Sequence, residues 1–374
     1  MSIKQSASPP GVPKTREQSI SRVPKGLVRA GMLLLLVIPV FVAWQVLNFL
    51  MNNTDPTVAG RPLSNVKTHL HQVALGGKPG IIYLGTHFGL FISTDGGRSW
   101  PQQRGILNTM MIMNIAVSPV NPQVLAVIGR PTSGIGNQAG IYFSTDGGEN
   151  WHLGAAPAGL SPSAYLFTVQ AGAASEGNFY AFFEYGGWFE TRDMGAHWHP
   201  ITSGALSGMQ TPSLLTDPAD PNHLLLGGDQ GLFESRDDGS HWNQITAVRG
   251  NVQNIVASST KPRLIFCTTD QGIYRWREGS TQVTQLAHLP MSTPPTRLVV
   301  NATGSTLYGL SGQDLWSSND SGTTWKHRWQ FDRGDLISLL VDPQNPDRLY
   351  VGFFLPPKVI FSTDSGNSWQ TLTD

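Results

Sequence analysis

Cysteine is almost missing: Cys267 is the only one in 374 residues, so no intrachain disulfide can form and a disulfide-framed scaffold is excluded. It stands in the apolar run 264–268 and reads as a small buried hydrophobe. Charge is scarce as well. Asp, Glu, Lys and Arg make up 13% of the chain, and 25 basic residues balance 25 acidic ones. Such a surface lacks the basic footprint of a nucleic-acid binder. No glycine-rich phosphate loop, zinc-ligand spacing or nucleophile elbow occurs. No cofactor and no metal is therefore expected.

Turn residues are plentiful, with 41 glycines and 26 prolines. One turn repeats. It reads Ser-Thr-Asp-Gly-Gly-Arg-Ser-Trp at 93–100, and intact copies follow at 144–151, 191–198, 235–242, 318–325 and 362–369. A degenerate copy at 275–282 keeps Gly279 and Thr281 but has Arg277 in place of the Asp and no Trp. The repeated position falls at 95, 146, 193, 237, 277, 320 and 364, in steps of 40 to 51 residues. Steps of that size match the blade of a propeller.

Each unit holds short apolar runs between turn signals. The last one has runs at 336–341, 348–353, 359–362 and 369–372 around Asp342-Pro343-Gln344-Asn345-Pro346 and the repeated turn. Pro presets φ, and Asp or Asn bonds nearby amides, so the runs read as four antiparallel strands, A to D. Seven such units, 67–374, predict an all-β, seven-bladed β-propeller. The first and last units both look complete. The closing seam then rests on side-chain packing, unless the preceding residues add a strand.

In the repeated turn the carboxylate is suited to accept backbone amides, and Gly permits positive φ. The Trp is expected to open the outer strand and bury its ring between blades. Asp95, Asp146, Asp193, Asp237, Asp320 and Asp364, with Trp100, Trp151, Trp198, Trp242, Trp325 and Trp369, are thus read as structural. Each turn offers one usable carboxylate, and the turns stand apart around the rim, which argues against catalysis or metal binding. His197 and His241 occupy fixed positions in these turns and read as strand or turn residues.

The repeat resembles the Asp-box, or bacterial neuraminidase repeat. The chain is therefore similar to Asp-box propellers, among them sialidases, sortilin-type receptors, glucan hydrolases and photosystem II assembly factors. That resemblance implies the fold and leaves the function open. Sialidase activity would bring three arginines, a Tyr–Glu pair and an acid/base carboxylate. The Arg-Ile-Pro signature of sialidases is absent here: Arg61-Pro62 and Arg130-Pro131 lack the Ile.

Residues 30–51 carry no charge over 22 positions, long enough to span a bilayer. Lys4, Lys14, Arg16, Arg22, Lys25 and Arg29 precede them, with Glu17 the only acid. The expectation is a cytoplasmic basic tail (1–29), a transmembrane signal-anchor helix (30–51), a tether (52–66) and an extracytoplasmic propeller. A signal peptide cleaved after Ala59 is the alternative.

Strand order places the A–B and C–D turns on one face and the B–C and D–A loops on the other. The second face is the candidate for binding. Its D–A loops carry Arg104, Arg249 and Arg333, each followed by Gly, suited to carboxylate or other anionic partners if they converge. Its B–C loops carry Glu184-Tyr185, Asp229 and Asp270. The functional expectation is a non-enzymatic scaffold or assembly module with a protein partner. A glycan-binding propeller or a sialidase-type glycoside hydrolase is the alternative.

Overall fold

The computed structural model describes residues 68–372 apart from 102–104, 133–137, 161–163, 203–205, 207, 210–212, 287–288 and 344. The basic tail, the apolar segment 30–51 and the tether lie outside these residues, as does Arg104. Among the described residues no helix is long and apolar enough to cross a membrane.

The strands form seven antiparallel sheets, each from consecutive strands; six have four strands and the first has three. At the outer edge of the first sheet the Ile92 amide donates to the Pro101 carbonyl at 3.4 Å, just before the undescribed residues 102–104. The architecture is a seven-bladed β-propeller of four-stranded antiparallel blades. The innermost strands are Leu70–Leu75, Met110–Val117, Tyr165–Ala171, Ser213–Thr216, Val252–Ala257, Arg297–Val300 and Leu336–Asp342. Second strands such as Ile82–Thr86 and Leu224–Gly228 are buried along their whole length. A neighbouring blade covers each of their faces, so they read as apolar runs and not as alternation.

The outer strands are shorter than the sequence implies. Outer-strand pairing spans two residues in blades 2, 3, 4, 5 and 7, starting after the Trp where the turn has one, as at His152–Leu153 and Gln370–Thr371. A short edge strand exposes few unpaired backbone groups. Only Trp100 of the six tryptophans is fully buried. Trp100, Trp198 and Trp242 donate to the carbonyls of Leu372, Ala155 and Ile201 in the preceding blade, at 3.2, 2.8 and 2.8 Å. Trp151 and Trp325 instead bond Gly148 and Gly322 of their own turns.

The repeated turn is a hydrogen-bond cage. Asp95 Oδ1 accepts the amides of Arg98 and Ser99 at 3.0 Å, and its Oδ2 accepts the Ser99 hydroxyl at 2.7 Å. Ser93 donates to Asp95 and accepts the Gly97 amide, each at 2.7 Å. Asp146, Asp193, Asp237, Asp320 and Asp364 likewise accept the amide four residues on; in the turns of Asp193, Asp237 and Asp320 the amide three residues on bonds the Asp carbonyl instead. In blade 5 the Ser280 amide closes onto the Arg277 carbonyl at 2.9 Å without any carboxylate. The C–D turns also bond the A–B turns, as from Gly96 to Gly80 and from Ser365 to Asp347, both 2.9 Å. These two sets of turns therefore share one face.

Blades join through apolar clusters, and the closing seam is built like the others. Leu70, Leu84, Phe91 and Trp100 pack on Tyr350, Val359 and Leu372. Gly97, at φ 91, fits against Leu372 where a Cβ would lie 2.3 Å from its Cγ. The amide of Leu70 donates to the Phe354 carbonyl at 3.0 Å, and that of Val73 to Ser338 Oγ at 3.3 Å. No strand is exchanged across the seam among the described residues.

A belt of inner-strand side chains links neighbouring blades further. Gln72 Oε1 accepts the Ile115 amide at 2.6 Å, and Asn114 Oδ1 accepts the Val169 amide at 2.8 Å. Gln170 donates to the Leu214 carbonyl at 2.8 Å, and Asn254 accepts the Leu298 amide at 3.0 Å. Beside Gln72, Asn114 and Asn254 the inner strand has a β-bulge, as it does before Thr168 and Ser338. The bulges leave His71, Met113, Phe167, Gln253 and Ile337 outside the ladder. Bulges re-aim side chains, and here four of the five line the central channel.

Candidate partner-binding face

Inner strands begin at the B–C/D–A face, so their first residues surround the mouth of the channel. A cavity of about 440 Å³ opens there, with His71, Met113, Tyr165, Phe167, Arg297 and Ile337 in its wall. Arg297 is solvent-accessible but enclosed by the channel walls, and burial lowers its pKa. Its guanidinium has no hydrogen-bond or ion-pair partner among the described residues.

Apolar exposure concentrates on this face. Nine large apolar side chains are exposed among the described residues. Six of them, Ile106, Tyr165, Phe167, Tyr185, Phe354 and Leu355, lie in B–C or D–A loops or at the start of an inner strand. Val120 is in an A–B turn, and Leu153 and Trp329 are in outer strands. A second cavity, about 410 Å³, lies between blades 2 and 3, walled by Ile128, Leu153, Leu160, Tyr165, Leu166 and Phe183 among others. Arg130 closes one side, its guanidinium 3.6 Å from the Tyr165 ring and bonded to the Leu166 carbonyl at 2.8 Å.

The three arginines of the D–A loops have separate surroundings. Arg104 is outside the described residues, and Arg249 is exposed. Arg333 is engaged within the protein. Its Nε donates to Asp335 at 2.6 Å, its Nη atoms bond the carbonyls of Leu355 and Pro356 at 2.5 and 3.2 Å, and Phe353 lies beneath it at 5.0 Å. Arg333 thus staples the loop that presents Phe354 and Leu355. The Arg333 hydrogen bonds also lower the pKa of Asp335.

Glu184 is half-buried, and Tyr185 follows it at a hairpin tip with φ 63 and 66% exposure. Asp229 occupies the corresponding tip in blade 4. Asp270, in blade 5, accepts the Asn251 amide at 2.8 Å and so ties a B–C loop to a D–A loop. Asp314 pairs with His327 at 2.8 Å.

Sequence reasoning missed three histidines. His69, His71 and His87 each offer a ring nitrogen, all within 4.8 Å of one another. The His69 ring lies 4.6 Å from both His71 and His87, and 4.7 Å from Phe354. Burial, then the neighbouring His69 and His87, pushes His71 down to about 4; burial also lowers His69 and His87. The signal was His-x-His at the first inner strand with a third His in the following B–C loop. A search for zinc-finger spacings passes over it.

A second group, Asp217, His223 and Glu278, lies where the A–B turn of blade 4 meets the C–D turn of blade 5. Lys261 and Arg263 already neutralise it, Lys261 Nζ lying 2.5 Å from Asp217 and 3.0 Å from Glu278. It ties two blades together as an ion-pair network.

No family model matches the chain. An uncharacterized membrane glycoprotein of Saccharomyces cerevisiae is 37% identical over 70 residues, which is 18% of this chain and 16% of that protein. Among solved structures, the propeller titled YCF48 bound to D1 peptide superposes with a TM-score of 0.58 at 15% identity, covering 82% of this chain and 97% of that one. An ancestral GH74 enzyme gives 0.59 at 17% identity, covering 81% of this chain and 46% of that one. At such identities the likenesses show the fold alone: this chain carries a seven-bladed β-propeller.

Proposed function

We propose that the protein is a non-enzymatic binding module that holds an extended segment of a protein partner across the channel mouth. The observation that carries this reading is the gathering of six of nine exposed large apolar side chains on the B–C/D–A face. Exposed apolar patches mark interaction sites, and aromatic anchors dominate interface energetics. Two cavities beside Tyr165 provide room for side chains of the partner. Arg249 and Arg297, with Arg104 by its repeat position, supply cationic contacts for acidic residues of that segment. A propeller of the same fold has been captured with a peptide, which supports the reading by analogy.

The repeated turn is assigned to the Asp-box type, with a structural role. The hydrolase reading receives less support, because Asp270 and Asp314 are held in structural contacts on this face. The apolar segment 30–51, behind six basic residues, is proposed to anchor the chain with the propeller outside the cytoplasm. Protease added to spheroplasts is then expected to remove the propeller; protection until lysis would reverse the orientation.

The binding reading is tested by co-purification from native membranes. A Phe167→Ser/Tyr185→Ser double variant is expected to lose its partner and keep its melting midpoint, while Val120→Ser keeps both. Retention by the double variant and loss by Val120→Ser would overturn the assignment. Turnover of a fluorogenic sialoside by the purified protein would favour the glycosidase alternative.

A further inference from the structure

We propose that His69, His71 and His87 form a binding site for one divalent transition-metal ion at the mouth of the central channel. The main chain brings the three residues together. The His87 amide donates to the His69 carbonyl at 3.1 Å, which sets these two residues across from one another. His71 is the unpaired residue of the bulge between Leu70 and Gln72. In blades 2, 3, 5 and 7 the bulged position holds Met113, Phe167, Gln253 and Ile337. An imidazole there is peculiar to blade 1 among these five.

A cluster of neutral rings packed on Phe354 would be the plain structural explanation. It leaves two polar atoms unaccounted for: His71 Nε2 and His87 Nδ1 are buried and have no hydrogen-bond partner among the described residues. Buried polar groups ordinarily have partners. A metal ion satisfies imidazole lone pairs directly and needs neutral rings, whereas protonation would set like charges side by side. Nitrogen atoms within 4.8 Å of one another need small ring rotations to reach the roughly 3.3 Å spacing of a tetrahedral site with bonds of about 2.0–2.1 Å.

The donor set defines the class of ion. Imidazole suits Zn²⁺, Cu²⁺ and Ni²⁺, while Mg²⁺ and Ca²⁺ require oxygen ligands. Three protein ligands leave a fourth position for water or a side chain from outside. His71 also lines the cavity of about 440 Å³, which therefore adjoins the site.

The test uses the full-length protein in detergent, without a polyhistidine tag, stripped with a chelating resin. Calorimetric titration with ZnCl₂ is expected to show one saturable equivalent, and MgCl₂ none. His71→Phe, which copies the residue of blade 3, is expected to fold and to weaken Zn²⁺ binding by more than the roughly 10–100-fold that loss of an outer-shell partner brings. His241→Ala, in an exposed turn, is expected to leave it unchanged. Electron paramagnetic resonance of the Cu²⁺-loaded wild type is expected to show coupling to several imidazole nitrogens, a readout that needs no variant. Absence of a saturable equivalent in the wild type, or unaltered Zn²⁺ affinity in folded His71→Phe, would overturn the assignment.

Discussion

On the A–B/C–D face, six turns repeat one cage in which a single carboxylate accepts neighbouring amides, and each cage stands beside an adjoining hairpin. Across the ring the loops differ from blade to blade. They expose large apolar side chains, aromatic ones foremost. Satisfied and repeated polar groups fix a backbone; exposed apolar surface and unsatisfied polar atoms are what a ligand can relieve. On the proposed reading, the repeated cages serve stability and the variable, apolar face serves recognition.

If that division is right, the largest effects on stability come from the first face and the closing seam. Trp100→Ala removes a buried ring and its bond to Leu372, and is expected to cost about 3–5 kcal/mol in denaturant unfolding. Trp151→Ala, half-buried, should cost visibly less. Asp364→Ala is expected to lose about 1–2 kcal/mol, because the amides it caps are solvent-exposed and water replaces the carboxylate in part. Arg277→Ala, in the turn without a cage, should barely move the melting midpoint. The carboxylates predict an acid limb. The Ser368 hydroxyl, its amide and the Ser362 hydroxyl hold Asp364 at about 2, below its ordinary 3.8. A lowered carboxylate stabilises the fold above pH ~4, and that contribution is lost as pH falls toward 2. Melting midpoints should drop across that window, and by less in Asp364→Ala.

A smaller effect sharpens the role of the turn backbone. The position after the Asp has positive φ in each intact turn: Gly96 and Gly147 at 78, but Ser321 at 57. Ser321→Gly is expected to gain about 0.5 kcal/mol, relief of left-handed strain outweighing the added freedom of the unfolded chain. Smallest of all, Tyr185→Ala and Phe167→Ala are expected to stay within about 0.5 kcal/mol of wild type, since both side chains are largely exposed.

The period of the Asp and Trp positions made the blades legible, because every blade must solve the same turn. For the same reason the inner three strands of blade 7 were placed within a few residues: Leu336–Asp342, Asn345–Phe353 and Lys358–Ser362. The outer strand was overextended because Trp reads as a strand residue, while its indole serves the turn or the preceding blade. The site was less legible. Arg333 has the same Arg-Gly context as Arg249, yet an acid two residues on, Asp335, captures it. His71 owes its position to a bulge, and bulges follow from ring geometry that single-chain periodicity does not carry. The belt of Gln72, Asn114, Gln170 and Asn254 was hidden likewise, since its partners lie a whole blade away.

Site-specific photo-crosslinking tests the division between faces most directly. A benzophenone side chain is placed singly at Phe167, Tyr185 and Leu355 on one face, and at Val120 and Glu149 on the other, in otherwise intact protein in its native cells. Irradiation is expected to yield the same partner adduct from the first three positions and none from the last two. Adducts confined to Val120 and Glu149 would contradict the account.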